Sequence, residues 1–153
     1  MNNKKYEKLM RRCFSLAKRS KGKNMPNPYV GAIVYDEIED KIISEGYHKE
    51  YGKAHAEVNA IKNAKGNTKN KTIIVSLEPC SHFGKTPPCA DLIIRSGFKK
   101  AVVALVDVNP KVRMNGIKKL QEAGIEVVLG VLEKEAQELN KVFIKNILTK
   151  KPY

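Results

Sequence analysis

The sequence contains no apolar run approaching the ~20 residues that cross a bilayer, and its first residues lack the apolar core of a signal peptide. A cytoplasmic protein with no membrane partner is expected. Cysteine is scarce, with Cys13, Cys80 and Cys89 the only three. An odd number in a reducing compartment argues against a disulfide framework and for metal binding or reactivity. Acid is scarce at one end: Lys4, Lys5, Lys8, Arg11, Arg12, Lys18, Arg19, Lys21 and Lys23 face only Glu7 in the first 23 residues. That basic end, in a chain of net charge +13, suits nucleic acid, a phosphorylated substrate, or a plain solvated helix face. Repeats, low-complexity tracts and linkers are absent as well, so the 153 residues read as one compact domain with a real core.

What is present alternates. Tyr6, Leu9, Met10, Cys13, Phe14 and Ala17 follow the three-and-four spacing of a helix, which makes Cys13 a small core residue. Residues 21–28, with two asparagines, two prolines and a glycine, are loop chemistry. "VGAIVY" from Val30 and "KIISEGY" from Lys41 read as strands, then a helix starts near His55 and ends around Gly66. "KTIIVSL" from Lys71 is a buried strand, and "PPCADLIIRSG" a helix with Thr86 at its N-cap and Gly97 past its end. Strand "AVVALV" from Ala101, a helix over residues 112–123, strand "IEVVLG" from Ile125 and one long helix over residues 131–149 complete the chain. Strand and helix in alternation imply a largely parallel sheet with helices on both faces.

Within this frame "KAHAEVNA" is odd. Residues two apart point to nearly opposite sides of a helix, so His55 and Glu57 can converge only at a helix end, on a ligand lying along the axis. "LEPCSHFGKTPPC", Leu77 to Cys89, adds two cysteines placed after a strand and at a helix start. One imidazole and two thiolates with a fourth position open is the pattern of catalytic zinc, with a water in the open place. Zinc lowers the pKa of that water from about 15.7 toward 7, so Glu57 can take its proton at neutral pH. A structural zinc with His82 as fourth ligand stays open on these residues.

His-x-Glu followed by Pro-Cys and a second cysteine resembles the zinc-dependent cytidine deaminase superfamily. Within it the chain looks like the deaminase half of the bifunctional riboflavin-biosynthesis deaminase/reductases. "PNPYVG", "EGYHKEYGKAHAEVNA", "SLEPCSHFGKTPPCADLI", "VDVNPKV" and "LQEAGIEVVLGVLEKEAQELN" carry that resemblance across nearly the whole chain. It implies a three-layer α/β/α sandwich around a mixed, largely parallel five-stranded sheet, with residues 1–150 as the deaminase domain. It also implies hydrolytic deamination of 2,5-diamino-6-ribosylamino-4(3H)-pyrimidinone 5′-phosphate, a small phosphorylated pyrimidine. His55, Cys80 and Cys89 would hold one Zn²⁺, and Glu57 would carry the proton to a ring nitrogen and then to the departing ammonia. Asn27 and His48 resemble residues binding pyrimidine and ribose. Lys85, Thr86, Asp107 and Asn109 look like contacts near the ribose phosphate, and a lysine between two zinc ligands independently suits a phosphate dianion.

Two features depart from the family pattern. Arg113 and Met114 stand where relatives carry a small residue and a glycine, which predicts a loop beside Asn109 less able to approach substrate. The reductase half is absent, and "KPY" (Lys151 to Tyr153) resembles its opening, so a reductase domain or a separate reductase chain is an expected partner. A homo-oligomer is also expected. A tRNA adenosine or other nucleobase deaminase would share the zinc site and suit the basic end, but its cysteines typically stand two residues apart, whereas those here stand far wider. A nucleic-acid partner is therefore not expected. A non-catalytic zinc module would have no need of Glu57.

Overall fold

Period-two alternation builds the centre of the molecule. In β1 (Gly31–Asp36), Ala32 and Val34 enter one core and Ile33 and Tyr35 the other; β3 (Thr72–Leu77) and β4 (Lys100–Leu105) repeat the division. Strands buried on both sides require a helical layer on each. β2 (Lys41–Tyr47) and β5 (Glu126–Leu129) form the more exposed edges, in the order β2-β1-β3-β4-β5. β1 pairs antiparallel with both β2 and β3, while β3, β4 and β5 pair in parallel. Four strands thus share one direction and β1 alone opposes them. The computed structural model describes residues 3–81, 88–110 and 112–149.

One layer comprises α2 (Ala56–Asn63), α3 (Cys89–Arg95) and α4 (Asn115–Glu122), whose Ala56, Ala60, Ala90, Ile93, Ile117 and Leu120 are buried together. Fully burying each of the larger side chains contributes about 1.5–3 kcal/mol. The opposite layer comprises α1 (Asn3–Ala17), continued by a 3-10 turn over Lys18–Ser20, and α5 (Glu133–Leu139). Cys13 lies fully buried in α1, as its helical spacing predicts, and burial pushes its thiol far above the ordinary range. Among the described residues no helix is long and apolar enough to cross a membrane.

Four boundaries differ from the sequence reading. α2, expected to run to about Gly66, ends at Asn63, and turns follow it. The long helix expected over residues 131–149 is two, α5 and α6 (Lys141–Thr149), separated at Asn140. There the Asn140 Oδ1 accepts from Tyr29 N at 2.7 Å and its Nδ2 donates to Tyr29 O at 3.0 Å. A partner 111 residues away sets this break, and no local pattern announces it. α4 begins at Asn115 because the N–H groups of Val112 and Arg113 both turn back to the Asn109 carbonyl. α3 begins at Cys89 with Pro88 at its N-cap; Thr86, expected there, lies outside the described residues.

Close approach of α2 to the sheet depends on Gly46. A Cβ at that position would fall 2.4 Å from Ala60 N and 2.7 Å from Ala56 O, so only glycine lets β2 touch the helix backbone. Ser44 Oγ, donating to Ala60 O at 2.6 Å, and Asn59 Nδ2, donating to Tyr47 O at 2.9 Å, fix the helix in that position.

Candidate active site

Because β1 opposes its neighbours, the start of β1 lies at the same sheet edge as the ends of β2, β3 and β4. Ligands of open α/β sheets bind outside the carboxyl ends of the strands, and here a cavity of about 520 Å³ opens there. Asn27, Pro28 and Val30 line it from before β1, His48 from after β2, Glu78 and Cys80 from after β3, and Asp107 and Asn109 from after β4. His55 and Glu57 enter at the head of α2, and Phe143 of α6 closes a side.

The puzzle of His55 and Glu57 resolves at the helix end. His55 is the N-cap residue, with extended backbone (φ −70°, ψ 166°), so its imidazole leaves the axis before the helix begins. Glu57 sits in the first turn and is buried. Burial is the main cause that pushes its carboxyl up to about 7 from an ordinary 4.5. Burial thus favours the protonated form of this acid relative to an exposed carboxylate.

His55, Cys80 and Cys89 each present one donor atom, and the three lie within 4.8 Å of one another. His55 Nδ1 stands 3.4 Å from Cys89 Sγ and 4.0 Å from Cys80 Sγ. Donors around a tetrahedral zinc stand roughly 3.5–3.8 Å apart, given bonds of about 2.0–2.3 Å, so this set fits the ion. A hydrogen bond with Cys89 holds the Cys80 thiol below its ordinary range, and that same bond together with burial raises Cys89. Hydrogen bonding to Cys80 is also the main cause raising His55. Cys80 further accepts the Cys89 N–H at 3.1 Å, at the head of α3, where a helix end favours a thiolate.

His48 is buried, with Nδ1 3.1 Å from Ala54 O and Nε2 3.2 Å from Asn27 Nδ2. Burial is the main cause that lowers its pKa from an ordinary 6.5. Asn27 is held from behind as well: buried Asn24 donates Nδ2 to Asn27 O at 2.9 Å and accepts from Ser20 Oγ at 2.6 Å. Asp107 Oδ1 accepts the Asn109 N–H at 2.9 Å, which turns both residues toward one loop. Met114 adopts a left-handed backbone (φ 70°) without being glycine, yet Asp107 and Asn109 still line the cavity. Lys85, Thr86 and His82 lie outside the described residues.

Sequence reasoning missed several contributors. Glu78 sits inside a motif in which only the cysteine signals its chemistry. Lys119 of α4 donates to Asp91 Oδ1 at 2.7 Å and to Ser81 O at 3.4 Å, joining the segments that carry the two cysteines. Asn24 and Phe143 reach the site through packing that carries no motif.

These features define a zinc-binding deaminase fold. The family model of the cytidine and deoxycytidylate deaminase zinc-binding region matches residues 3–105, and the chain belongs to that family, whose cofactor is zinc. More particularly, the chain is similar to riboflavin biosynthesis protein RibD of Aquifex aeolicus (strain VF5), with 52% identity over 99% of this chain and 41% of that protein. It is 44% identical to the diaminohydroxyphosphoribosylamino-pyrimidine deaminase of Buchnera aphidicola subsp. Schizaphis graminum, over 94% of this chain and 96% of that protein. The structure of Acinetobacter baumannii RibD (form 1) superposes with a TM-score of 0.93 at 41% identity, covering 99% of this chain and 42% of that one. The chain thus spans about two fifths of the length of the RibD proteins it matches.

Proposed function

We propose that this chain hydrolyses the exocyclic amine of 2,5-diamino-6-ribosylamino-4(3H)-pyrimidinone 5′-phosphate, giving 5-amino-6-ribosylaminouracil 5′-phosphate and ammonia, an early step of riboflavin synthesis. The observation that carries this reading is the buried Glu57 carboxyl beside the His55, Cys80 and Cys89 donors at a cavity lined by both polar and apolar side chains. A relative of nearly the same length, at 44% identity, bears the name of that deaminase.

In this reading His55, Cys80 and Cys89 hold the zinc. Bound there, the metal would supply Lewis acidity that makes water more acidic. Glu57 would take a proton from the attacking water and deliver it to the ring nitrogen beside the amine-bearing carbon, so that the ring C=N electrons move to nitrogen as the new C–O bond forms. It then moves the hydroxyl proton to the amine. The C–N bond breaks, ammonia leaves and the carbonyl remains. A buried carboxyl beside the donor set is placed for both transfers. Asn27, with its Nδ2 engaged by His48, offers Oδ1 to donors of the base. Asp107 and Asn109 bound the ribose side, and Lys85 and Thr86 hold the phosphate. A reductase, on a further domain or a separate chain, would consume the product.

The test is ammonia release from this substrate by purified protein, with zinc quantified in the same sample. Turnover with about one zinc per chain is expected. Zinc without turnover, alongside turnover of a tRNA adenosine, would overturn the substrate assignment.

A further inference from the structure

Glu78 is buried at the end of β3, two residues before Cys80, and its carboxylate is surrounded by main-chain donors. Oε1 accepts Asp107 N at 2.9 Å and Met114 N at 3.1 Å; Oε2 accepts Gly116 N at 2.9 Å and Ile117 N at 3.2 Å. A carboxylate offers about four acceptor sites, and here each meets an amide. The first two amides bracket the loop that carries Asp107 and Asn109, and the other two belong to the first turn of α4. From Asp107 the chain of bonds continues, through its Oδ1 to Asn109 N and from the Asn109 carbonyl to the N–H groups of Val112 and Arg113.

The contact admits little slack. A Cβ on Gly116 would fall 2.0 Å from Pro79 O, so the head of α4 lies directly on the backbone between Glu78 and Cys80. Met114 keeps its left-handed backbone while its N–H points to Oε1. Non-glycine residues are disfavoured in that region, and such conformations persist where the surroundings over-determine them. The Lys119 bonds to Ser81 and Asp91 tie α4 to the cysteine segments independently of Glu78.

We propose that Glu78 is a positioning residue: its carboxylate sets the loop of Asp107 and Asn109 against the substrate cavity, in register with the metal segment that follows it. This rests on the substrate reading given above. Glutamine keeps the size of the side chain but exchanges one oxygen for an NH₂. Whichever way it turns, one pair of amides loses its acceptor and meets a donor. The loop then loosens, while the Lys119 bonds keep α4 on the cysteine segments.

The experiment compares wild type with Glu78→Gln in three readouts: zinc per chain, amide hydrogen exchange, and steady-state kinetics on the diaminopyrimidinone ribosyl phosphate. Expected are zinc unchanged, exchange of residues 107–117 accelerated by about tenfold or more with α2 unaltered, and KM raised about tenfold. The same reading predicts kcat within about threefold of wild type, because Glu57 and the metal donors stay in place. Unchanged exchange in residues 107–117 overturns the proposal, as does faster exchange with unchanged KM. Global unfolding or loss of zinc overturns it too, since the bonds would then serve the core and not the loop. If wild type fails to turn over this substrate, the substrate reading falls, and the exchange comparison still judges Glu78 because it needs no substrate.

Discussion

His48 accepts from Asn27 Nδ2 through Nε2 at 3.2 Å while its Nδ1–H donates to the Ala54 carbonyl at 3.1 Å. Both ring nitrogens are thereby used, and only the neutral imidazole with its proton on Nδ1 satisfies the two partners. His48 in turn decides which way the Asn27 carboxamide points. The orientation of Asn27, which precedes β1, is therefore set by a residue that follows β2.

Replacing His48 by leucine removes the acceptor and frees the Asn27 amide to turn. KM for the diaminopyrimidinone substrate is expected to rise about tenfold, the worth of one hydrogen bond, with a smaller change in kcat. Steady-state kinetics decide the matter, and an unchanged KM would remove Asn27 orientation from the account.

Glu57→Gln leaves the three metal donors untouched but cannot relay a proton. Zinc is expected to stay at about one per chain while kcat falls by about 10²–10⁴-fold. Ammonia release and elemental analysis of one preparation check both halves, and near-normal turnover would take the proton relay away from Glu57.

Arg12 clasps Glu45 with both ends, Nε to Oε2 at 2.7 Å and Nη2 to Oε1 at 2.9 Å, joining α1 to β2. Hydrogen bonding from Arg12 is the main cause holding the Glu45 carboxyl below its ordinary 4.5. A carboxyl lowered in the folded state binds fewer protons there than in the unfolded chain, so its stabilisation is full above 4.5 and is lost as pH falls through the lowered value. Glu45→Gln is expected to cost about 1 kcal/mol at pH 7, discounted because the pair is partly exposed, and progressively less below about pH 4. Thermal melts of both proteins between pH 3 and pH 7 give the comparison; a gap independent of pH would assign the loss to packing.

Gly46→Ala drives a methyl into the backbone of α2. Overpacking of this kind costs about 1–3 kcal/mol, and in a domain of this size Tm falls by about 2–4 °C per kcal/mol. Since α2 carries Glu57 and begins directly after His55, activity is expected to drop with stability. A variant that melts and turns over like wild type would mean that α2 can retreat without cost.

Much of this molecule was legible in its residues because periodicity and metal chemistry are local. The division of Ile33 from Val34, and of Ile74 from Val75, announces a sheet covered on both faces. His55, Glu57, Cys80 and Cys89 carry a chemistry few other residue sets could. The antiparallel placement of β1 was less legible, since strand order depends on which hydrophobic faces meet and not on any one segment. The break at Asn140 and the role of Glu78 were silent for the same reason: their partners lie far along the chain, at Tyr29 and at Met114 to Ile117. Long-range hydrogen bonds leave no period behind them.

His55 follows β2, Cys80 follows β3 and Cys89 opens α3, and β1 stands between β2 and β3 in the sheet. The donor set therefore exists only where the lone reversed strand is in place, so an ion that binds these three donors also favours the folded sheet over the unfolded chain.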